Sequence, residues 1–397
     1  MNREDFTFLN KDVIYFDNAA TTLKPKVLAE KISEYYNEYS VNTHRGDYDI
    51  SLKVNSLYEN TRELVKDFIG AESTKEIVYT SGTTDSLNKI IFGYFKNNLK
   101  KGDEILLTKG EHASMLLPWF ELADDIGLKI KYISLEDNYE LTIDNVKKEL
   151  TSKTKVISLA HVTNVLGDIR PIKEITELAH LHDIKVLIDG AQSVPHMAIN
   201  VTDLDIDFLT FSAHKMCGPT GLGILYGKKE LLRNMKPILF GGGMNASFKN
   251  DGTREYKDIP TIFEAGTPNI AAVIGFGEVI KYINNIGMDK INEYELELKN
   301  YAVSKLDKLN NIIIHSKYAE TGIVTFSVKE VFSQDVALYL NEHDICVRAG
   351  NHCAKILNEE IGASTTVRAS FYFYNTKEEI DKLVKLLKNP NILNEVI

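Results

Sequence analysis

Two apolar runs in this chain end in residues that can do chemistry: Lys185-Val-Leu-Ile-Asp-Gly-Ala-Gln192 and Phe208-Leu-Thr-Phe-Ser-Ala-His-Lys215. Each reads as a buried strand with polar residues at its carboxyl end, where open α/β sheets bind ligands. Lys215 precedes Met216-Cys-Gly-Pro-Thr-Gly221, a turn-forming run that holds it close to the sheet rim. A lysine partly desolvated there loses its proton near neutral pH and can form a Schiff base. Asp189 is its complement, because a pyridoxal ring is an electron sink only while its nitrogen stays protonated, and a fixed carboxylate favours that state. Gln192 follows in the same segment, within reach of a ring hydroxyl.

A third element fits the same ligand. Ser81-Gly-Thr-Thr-Asp85 lies between the run Glu76 to Thr80 and a helical stretch from about Asp85, and N–H groups and hydroxyls at a helix start bind phosphate. It lacks the GKS or GKT of a nucleotide loop, so ATP and GTP are not implied. Ser212 and His214, beside Lys215, add candidate phosphate contacts. Singly, each feature has a plainer reading: a strand-end turn or cap for the aspartate, an N-cap for Gly-Thr-Thr, a solvated rim charge for the lysine. Together, on consecutive βα units, they favour a cofactor site.

These residues need a sheet to carry them. Between about Glu76 and Tyr226, the runs Glu76 to Thr80, Glu104 to Thr108, Lys129 to Ser134, Lys155 to Ala160, Lys185 to Ile188, Phe208 to Phe211 and Gly223 to Tyr226 alternate with helical patterns such as Ile172 to His182. This rhythm predicts an α/β layered fold with a mostly parallel sheet. Asn55 to Ile69 puts Leu57, Leu64, Val65, Phe68 and Ile69 near one helical face and stops at Gly70. Thr376 with Glu379 forms a capping box before Ile380, Leu383, Val384 and Leu387, and Asn389-Pro390 ends that helix. A chain of 397 residues exceeds what one core usually organises. Two domains are expected: a large cofactor-binding one over 16–275, and a smaller α+β one from 1–15 and 276–397.

Composition narrows the partners. Lys plus Arg number 46 against 56 Asp plus Glu, a net charge of -10, which leaves no electrostatic footprint for nucleic acid. The start, Met1-Asn-Arg-Glu-Asp-Phe6, has acids where a signal peptide is basic and then apolar, and no stretch reaches ~18 uninterrupted apolar residues. A cytoplasmic protein without membrane contact is expected. Cys217, Cys346 and Cys353 form neither a CxxC nor a zinc spacing, so free thiols and no metal site are expected. Cys346 lies in an apolar alternating run and reads as core. Cys353 follows the polar run Arg348-Ala-Gly-Asn-His352, which reads as a loop rather than the packed setting of most free cysteines.

Taken together, these residues resemble the fold-type I pyridoxal-phosphate (PLP) enzymes of aminotransferase class V, and within them the type II, SUF-type cysteine desulfurases. The resemblance runs from Tyr15-Phe-Asp-Asn-Ala-Ala-Thr-Thr22 to Arg368-Ala-Ser-Phe-Tyr-Phe-Tyr-Asn-Thr376, nearly the whole chain. It passes through Asn42-Thr-His-Arg-Gly46, Ser81-Gly-Thr-Thr84, Glu111-His112 with Pro118-Trp119, Asp189-Gly-Ala-Gln192, Ser212-Ala-His-Lys215, Gly218-Pro-Thr-Gly221, Gly266-Thr-Pro-Asn269 and Arg348-Ala-Gly-Asn-His-Cys353. The branch rests mainly on the last. The resemblance implies a large domain with a mostly parallel seven-stranded sheet and a smaller α+β C-terminal domain. It implies that Lys215 carries PLP as a Schiff base, Asp189 pairs with the ring nitrogen, His112 stacks on the ring and Gln192 contacts its hydroxyl. Thr83, Thr84, Ser212 and His214 would bind the phosphate, joined by Thr267 from the other subunit of a homodimer. Asn164 would approach the cofactor and the substrate carboxylate, and Arg368 would clamp that carboxylate with its planar fork. His44 and Arg348 are further substrate-binding candidates, and Cys353 would accept the sulfur.

The implied activity converts L-cysteine to L-alanine. Lys215 removes the Cα proton, the Cys353 thiolate attacks the substrate sulfur, and the resulting persulfide supplies iron-sulfur clusters or other acceptors through a separate sulfur-acceptor protein. A thiol with the ordinary pKa of about 8.5 is only about a few per cent ionised at pH 7. Arg348 and His352 are expected to raise that fraction if both face the sulfur. His112 either stacks only or also relays protons. The chain departs from the family at Asn351 and Ala113, where histidines are usual, and at Cys217, usually tyrosine and read here as packing. The short spacing from Arg348 to Arg368 leaves little room for a long mobile cysteine loop. Two other readings stand: a selenocysteine lyase or other class V aminotransferase or lyase with an incidental Cys353, and a non-catalytic dimeric scaffold. The joint presence of Lys215, Asp189 and Arg368 argues against the scaffold.

Overall fold

The computed structural model describes residues 2–43, 46–389 and 392. The main sheet uses β1 (Ile77–Thr80), β2 (Glu104–Leu107), β3 (Lys129–Tyr132), β4 (Thr154–Ala160), β5 (Lys185–Asp189), β6 (Phe208–Ser212) and β7 (Gly223–Gly227). Its order is β1-β7-β6-β5-β4-β2-β3, and only β7 runs against the rest. This is the mostly parallel sheet that the strand rhythm predicts, with the seven strands that the resemblance implies. The central strands β5 and β6 are buried on both faces almost throughout, which is why they read as unbroken apolar runs rather than alternating ones.

Helices cover both faces: α1 (Lys26–Glu38), α2 (Asp49–Ile69), α3 (Thr83–Ile90), α4 (Ala113–Ile126), α5 (Ile172–His180) and α6 (Ile270–Ile286). α2 begins earlier than the periodicity from Asn55 predicts. Its buried stripe includes Val54, Tyr58, Val65 and Ile69, with Leu57, Leu64 and Phe68 only half-buried beside it. It ends as expected on Gly70, whose φ of +67° suits glycine and whose N–H closes the last turn. α6 is buried around most of its circumference because α1 and α2 pack on it.

The remaining chain builds an antiparallel sheet from β8 (Ile312–Ile314), β9 (Ile323–Val328), β10 (Arg348–Gly350) and β11 (Thr366–Ser370), in the order β8-β9-β11-β10. With it go α7 (Met288–Leu306), α8 (Ser333–Glu342), α9 (Lys355–Glu360) and α10 (Lys377–Leu387). The expected capping box of Thr376 and Glu379 starts α10. The helix ends at Leu387, and Pro390, expected to end it, lies outside the described residues. Ile14–Tyr15 pairs with Ile345–Cys346, and Ile14 and Phe16 share an apolar cluster with β9, β11 and α10. Cys346 is half-buried rather than core, because this strand pair is only two residues long and covers it incompletely. Among the described residues, no helix is long and apolar enough to cross a membrane.

Candidate active site

One cavity of about 360 Å³ opens where β1, β4, β5 and β6 end, and Arg348, Cys353 and Arg368 close its far side. Lys215, Asp189, Gln192, His112, Thr83, Thr84, Ser212, His214, Asn164, Arg368, Arg348 and Cys353 all line it. Thr267 does not; it borders a separate pocket with Ser81, Asp85 and Lys89. His44 lies outside the described residues.

Lys215 ends the tight turn that follows β6, held by bonds from Met216 and Gly218 N–H to the Ala213 carbonyl. Burial, with the nearby Arg368 charge acting in the same direction, lowers its pKa to about 8, although Asp189 opposes the shift. Asp189 accepts the Ala191 N–H at 2.9 Å, and burial raises its pKa against the pull of Lys215. Gln192 donates to the Ala19 carbonyl at 2.7 Å and leaves its Oε1 buried and unpartnered.

The hydroxyl cluster forms where α3 begins at Thr83 rather than Asp85. Thr83 N–H donates to Ser212 Oγ at 2.8 Å, the two hydroxyls lie 2.8 Å apart, and Thr84 Oγ1 lies 2.7 Å from Ser114 Oγ. An added Cβ at Gly223 would sit 2.4 Å from Gly82 Cα, so only glycine lets β7 come this close to the loop before α3. His214 lies 3.2 Å from Thr21 Oγ1, and burial with the Lys215 and Lys24 charges lowers its pKa to about 4.

His112 caps α4: its Nδ1 accepts the Ser114 N–H at 3.1 Å, which leaves the proton of the neutral ring on Nε2. Burial, then the charges of Lys215 and Arg368, lower its pKa to about 4, so the ring is neutral at physiological pH. Arg368 is buried; its guanidinium donates to the Asn164 carbonyl at 2.7 Å and to Asp17 at 3.4 Å, and its Nε has no partner. Burial lowers its pKa to about 10, which still leaves it charged.

Cys353 is exposed at the cavity, on the turn between β10 and α9. The expected pair of charges beside it is only half present. Arg348 holds Asp17 through two nitrogens, at 2.7 and 3.1 Å. The His352 ring instead turns its Nε2 to the Thr366 hydroxyl at 2.9 Å, and burial lowers its pKa to about 3, so it brings no positive charge. Cys217 is fully buried, and burial pushes its pKa up to about 12, in line with the packing reading. Asp17 was not singled out in the sequence, yet it holds both arginines; its only signal is its place in Tyr15-Phe-Asp-Asn18.

These residues fit PLP. The cavity offers an amine of depressed pKa, a buried carboxylate, hydroxyls and backbone N–H groups at a helix start, and unpartnered polar atoms on Gln192 and Arg368 that a bound polar group would satisfy.

A family model described as "Aminotransferase class-V" matches residues 14–383, and the chain belongs to that family. Among curated relatives, a "Probable cysteine desulfurase" of Halalkalibacterium halodurans is 44% identical, covering 95% of this chain and 92% of that one. The apo structure of a cysteine desulfurase from Thermococcus onnurineus NA1 superposes with a TM-score of 0.93 at 39% identity, covering 97% of this chain and 96% of that one. The cysteine desulfurase CsdA of Escherichia coli, solved with an S-sulfonic acid, gives a TM-score of 0.93 at 33% identity, covering 100% and 98%.

Proposed function

We propose that this chain is a PLP-dependent cysteine desulfurase of the SUF-type branch, converting L-cysteine to L-alanine and storing the sulfur as a persulfide on Cys353. The observation that carries the reading is one cavity faced by a lysine of depressed pKa, a buried carboxylate, a buried arginine and an exposed cysteine. The activity named for its relatives agrees with it.

When bound, PLP supplies an electron sink for negative charge at the substrate Cα. Thr83, Thr84, Ser212 and His214 would hold its phosphate, Asp189 would keep its ring nitrogen protonated, Gln192 would meet its hydroxyl and His112 would lie against the ring. Arg368 and Asn164 would take the substrate carboxylate, with Arg348 as a further contact. Lys215 Nζ accepts the Cα proton, a task its lowered pKa suits. Neutral His112 presents an Nε2–H to the substrate. The Cys353 thiolate attacks the substrate sulfur: the S–S bond forms, the Cβ–S bond breaks with its electron pair on the three-carbon fragment, and that fragment takes up two protons, one at Cβ and one returned to Cα by Lys215 Nζ, to leave as alanine.

The proposal extends to a cytoplasmic homodimer and a separate acceptor protein that takes the persulfide toward iron-sulfur clusters or other acceptors. Leu239, Phe240 and Phe248 are exposed, and Leu239 borders the Thr267 pocket, as a dimer face that supplies Thr267 to the other subunit would require. Residues 16–275 form the large domain and 1–15 with 276–397 the small one, with α6 running across that boundary.

Incubation with L-cysteine is expected to add one sulfur atom to the peptide containing Cys353, read by mass spectrometry; alanine release with no gain on that peptide overturns the assignment. A second expectation follows from Lys215. Only the neutral amine attacks an aldehyde, so a pKa of about 8 makes PLP uptake by the apoprotein rise with pH and level off above it. Stopped-flow absorbance across the pH range reads this, and an inflection at the ordinary lysine value of about 10.4 sinks it.

A further inference from the structure

Glu111 and Arg170, both fully enclosed, form an ion pair beneath the cavity that none of the proposed steps uses. The carboxylate also accepts the Thr108 hydroxyl and the Ala160 N–H, each at 2.7 Å. The other arm of the guanidinium donates to Thr108 Oγ1 at 2.7 Å, and Arg170 N–H bonds the His161 carbonyl at 2.9 Å. One pair therefore locks together the segment after β2, the end of β4 and the loop 161–170. The planar fork makes this possible, because a single ammonium does not offer paired donors at fixed angles.

Two of the three segments held by this pair also bond the nucleophile's turn. Just past Glu111, Ala113 N–H donates to the Cys353 carbonyl at 2.8 Å. Within 161–170, the Asn164 side chain donates to the His352 carbonyl at 2.7 Å, and Val165 and Leu166 pack with Ala354 and Leu357 in an apolar cluster of their own. His352 and Cys353 have φ of +49° and +58°, a conformation that such residues keep only where their surroundings over-determine it. The two tethers and the apolar cluster are those surroundings.

We propose that the Glu111–Arg170 pair is a positioning device for the sulfur acceptor: it fixes the Ala113 and Asn164 tethers so that the Cys353 turn stays docked on the cavity. Neither residue touches substrate; both act through the turn. The inference rests on the cysteine desulfurase reading and requires a division of labour. Sulfur transfer needs the docked turn, whereas proton removal by Lys215 does not: Asn164 is shared between the turn and the substrate carboxylate, but Arg368 still clamps that carboxylate, and His112 keeps its own anchor in the bond from Ser114.

The test uses the PLP-loaded protein with Arg170→Met, with the double variant Glu111→Gln/Arg170→Met, which removes both buried charges, and with Leu357→Ala. PLP absorbance per chain and Cα hydrogen–deuterium exchange of L-alanine are expected to stay within about threefold of the parent, while single-turnover persulfide formation on Cys353 falls by about 10²-fold. Exchange and sulfur transfer falling together in folded variants, or sulfur transfer persisting, overturns the proposal. Leu357→Ala leaves the ion pair intact and strips the apolar contact from the other side. If both pair variants fail to fold, it must still reproduce the split. A parent protein that forms no persulfide on Cys353 instead overturns the functional reading itself.

Discussion

Lys215→Ala is expected to cut L-cysteine turnover by about 10⁴-fold or more, and to remove the visible absorbance at about 420 nm that PLP gains when joined to a lysine. The size of the effect follows from the two duties of one atom. In the proposed function Nζ both anchors the cofactor and takes the Cα proton, and among the described residues no second lysine lines the cavity. Lys24 is the nearest substitute in chemistry, since burial lowers its pKa to about 8 as well. Its Nζ is committed to the His214 carbonyl at 2.7 Å and does not face the cavity. His112 does face it, but with a pKa of about 4 it is a weak base at neutral pH. The variant should still bind PLP through Asp189 and the hydroxyls, so added small amines should restore part of the activity. Retention of more than about a tenth of the parent rate would mean that the proton goes elsewhere.

The parts of this site that local sequence reveals are those set by strand ends. Asp189, Ser212 and the threonines after β1 face the cavity because buried parallel strands leave few directions for the residues that follow them. Interactions between distant segments were hidden. Arg348 and Asp17 are 331 positions apart, and nothing near either residue in sequence announces the pair. His352 looked like a charge for the sulfur because it adjoins Cys353, yet a left-handed backbone turns its ring onto Thr366 in the neighbouring strand. The first turn of α2 escaped the periodicity because its helicity comes from tertiary burial of Ser51 and Val54 rather than from a local apolar stripe. Arg170 is not singled out for a related reason: nothing near it in Asp168-Ile-Arg-Pro171 announces a partner, and only folding brings Glu111 to it.

Cys353→Ala is expected to lower L-cysteine turnover by about 10³-fold or more while PLP absorbance and Cα exchange of L-alanine survive. The argument turns on which bond needs which residue. In the proposed function, breaking the Cα–H bond involves Lys215 and the carboxylate clamp of Arg368, one on the turn after β6 and the other on β11, and neither needs the Cys353 thiol. Breaking the Cβ–S bond needs a nucleophile that can accept sulfur, and no other described cysteine can serve: Cys217 is fully buried, while Cys346 pairs with Tyr15 outside the cavity. Cys353→Ser should fail equally, because an alcohol is not ionised at neutral pH and cannot carry a persulfide. The same pair of variants separates the competing enzyme reading. If L-cysteine turnover is unchanged in both, Cys353 is incidental and the cavity serves another class V reaction; if only L-selenocysteine turnover survives, the thiol is needed for sulfur alone. The turn's short length sharpens the expectation. Cys353 is tied back through Ala113 and His352 through Asn164, so Sγ is held at the cavity and cannot swing far to carry sulfur away. An acceptor must therefore come to the cavity mouth, and persulfide should accumulate to one sulfur per chain when no acceptor is supplied.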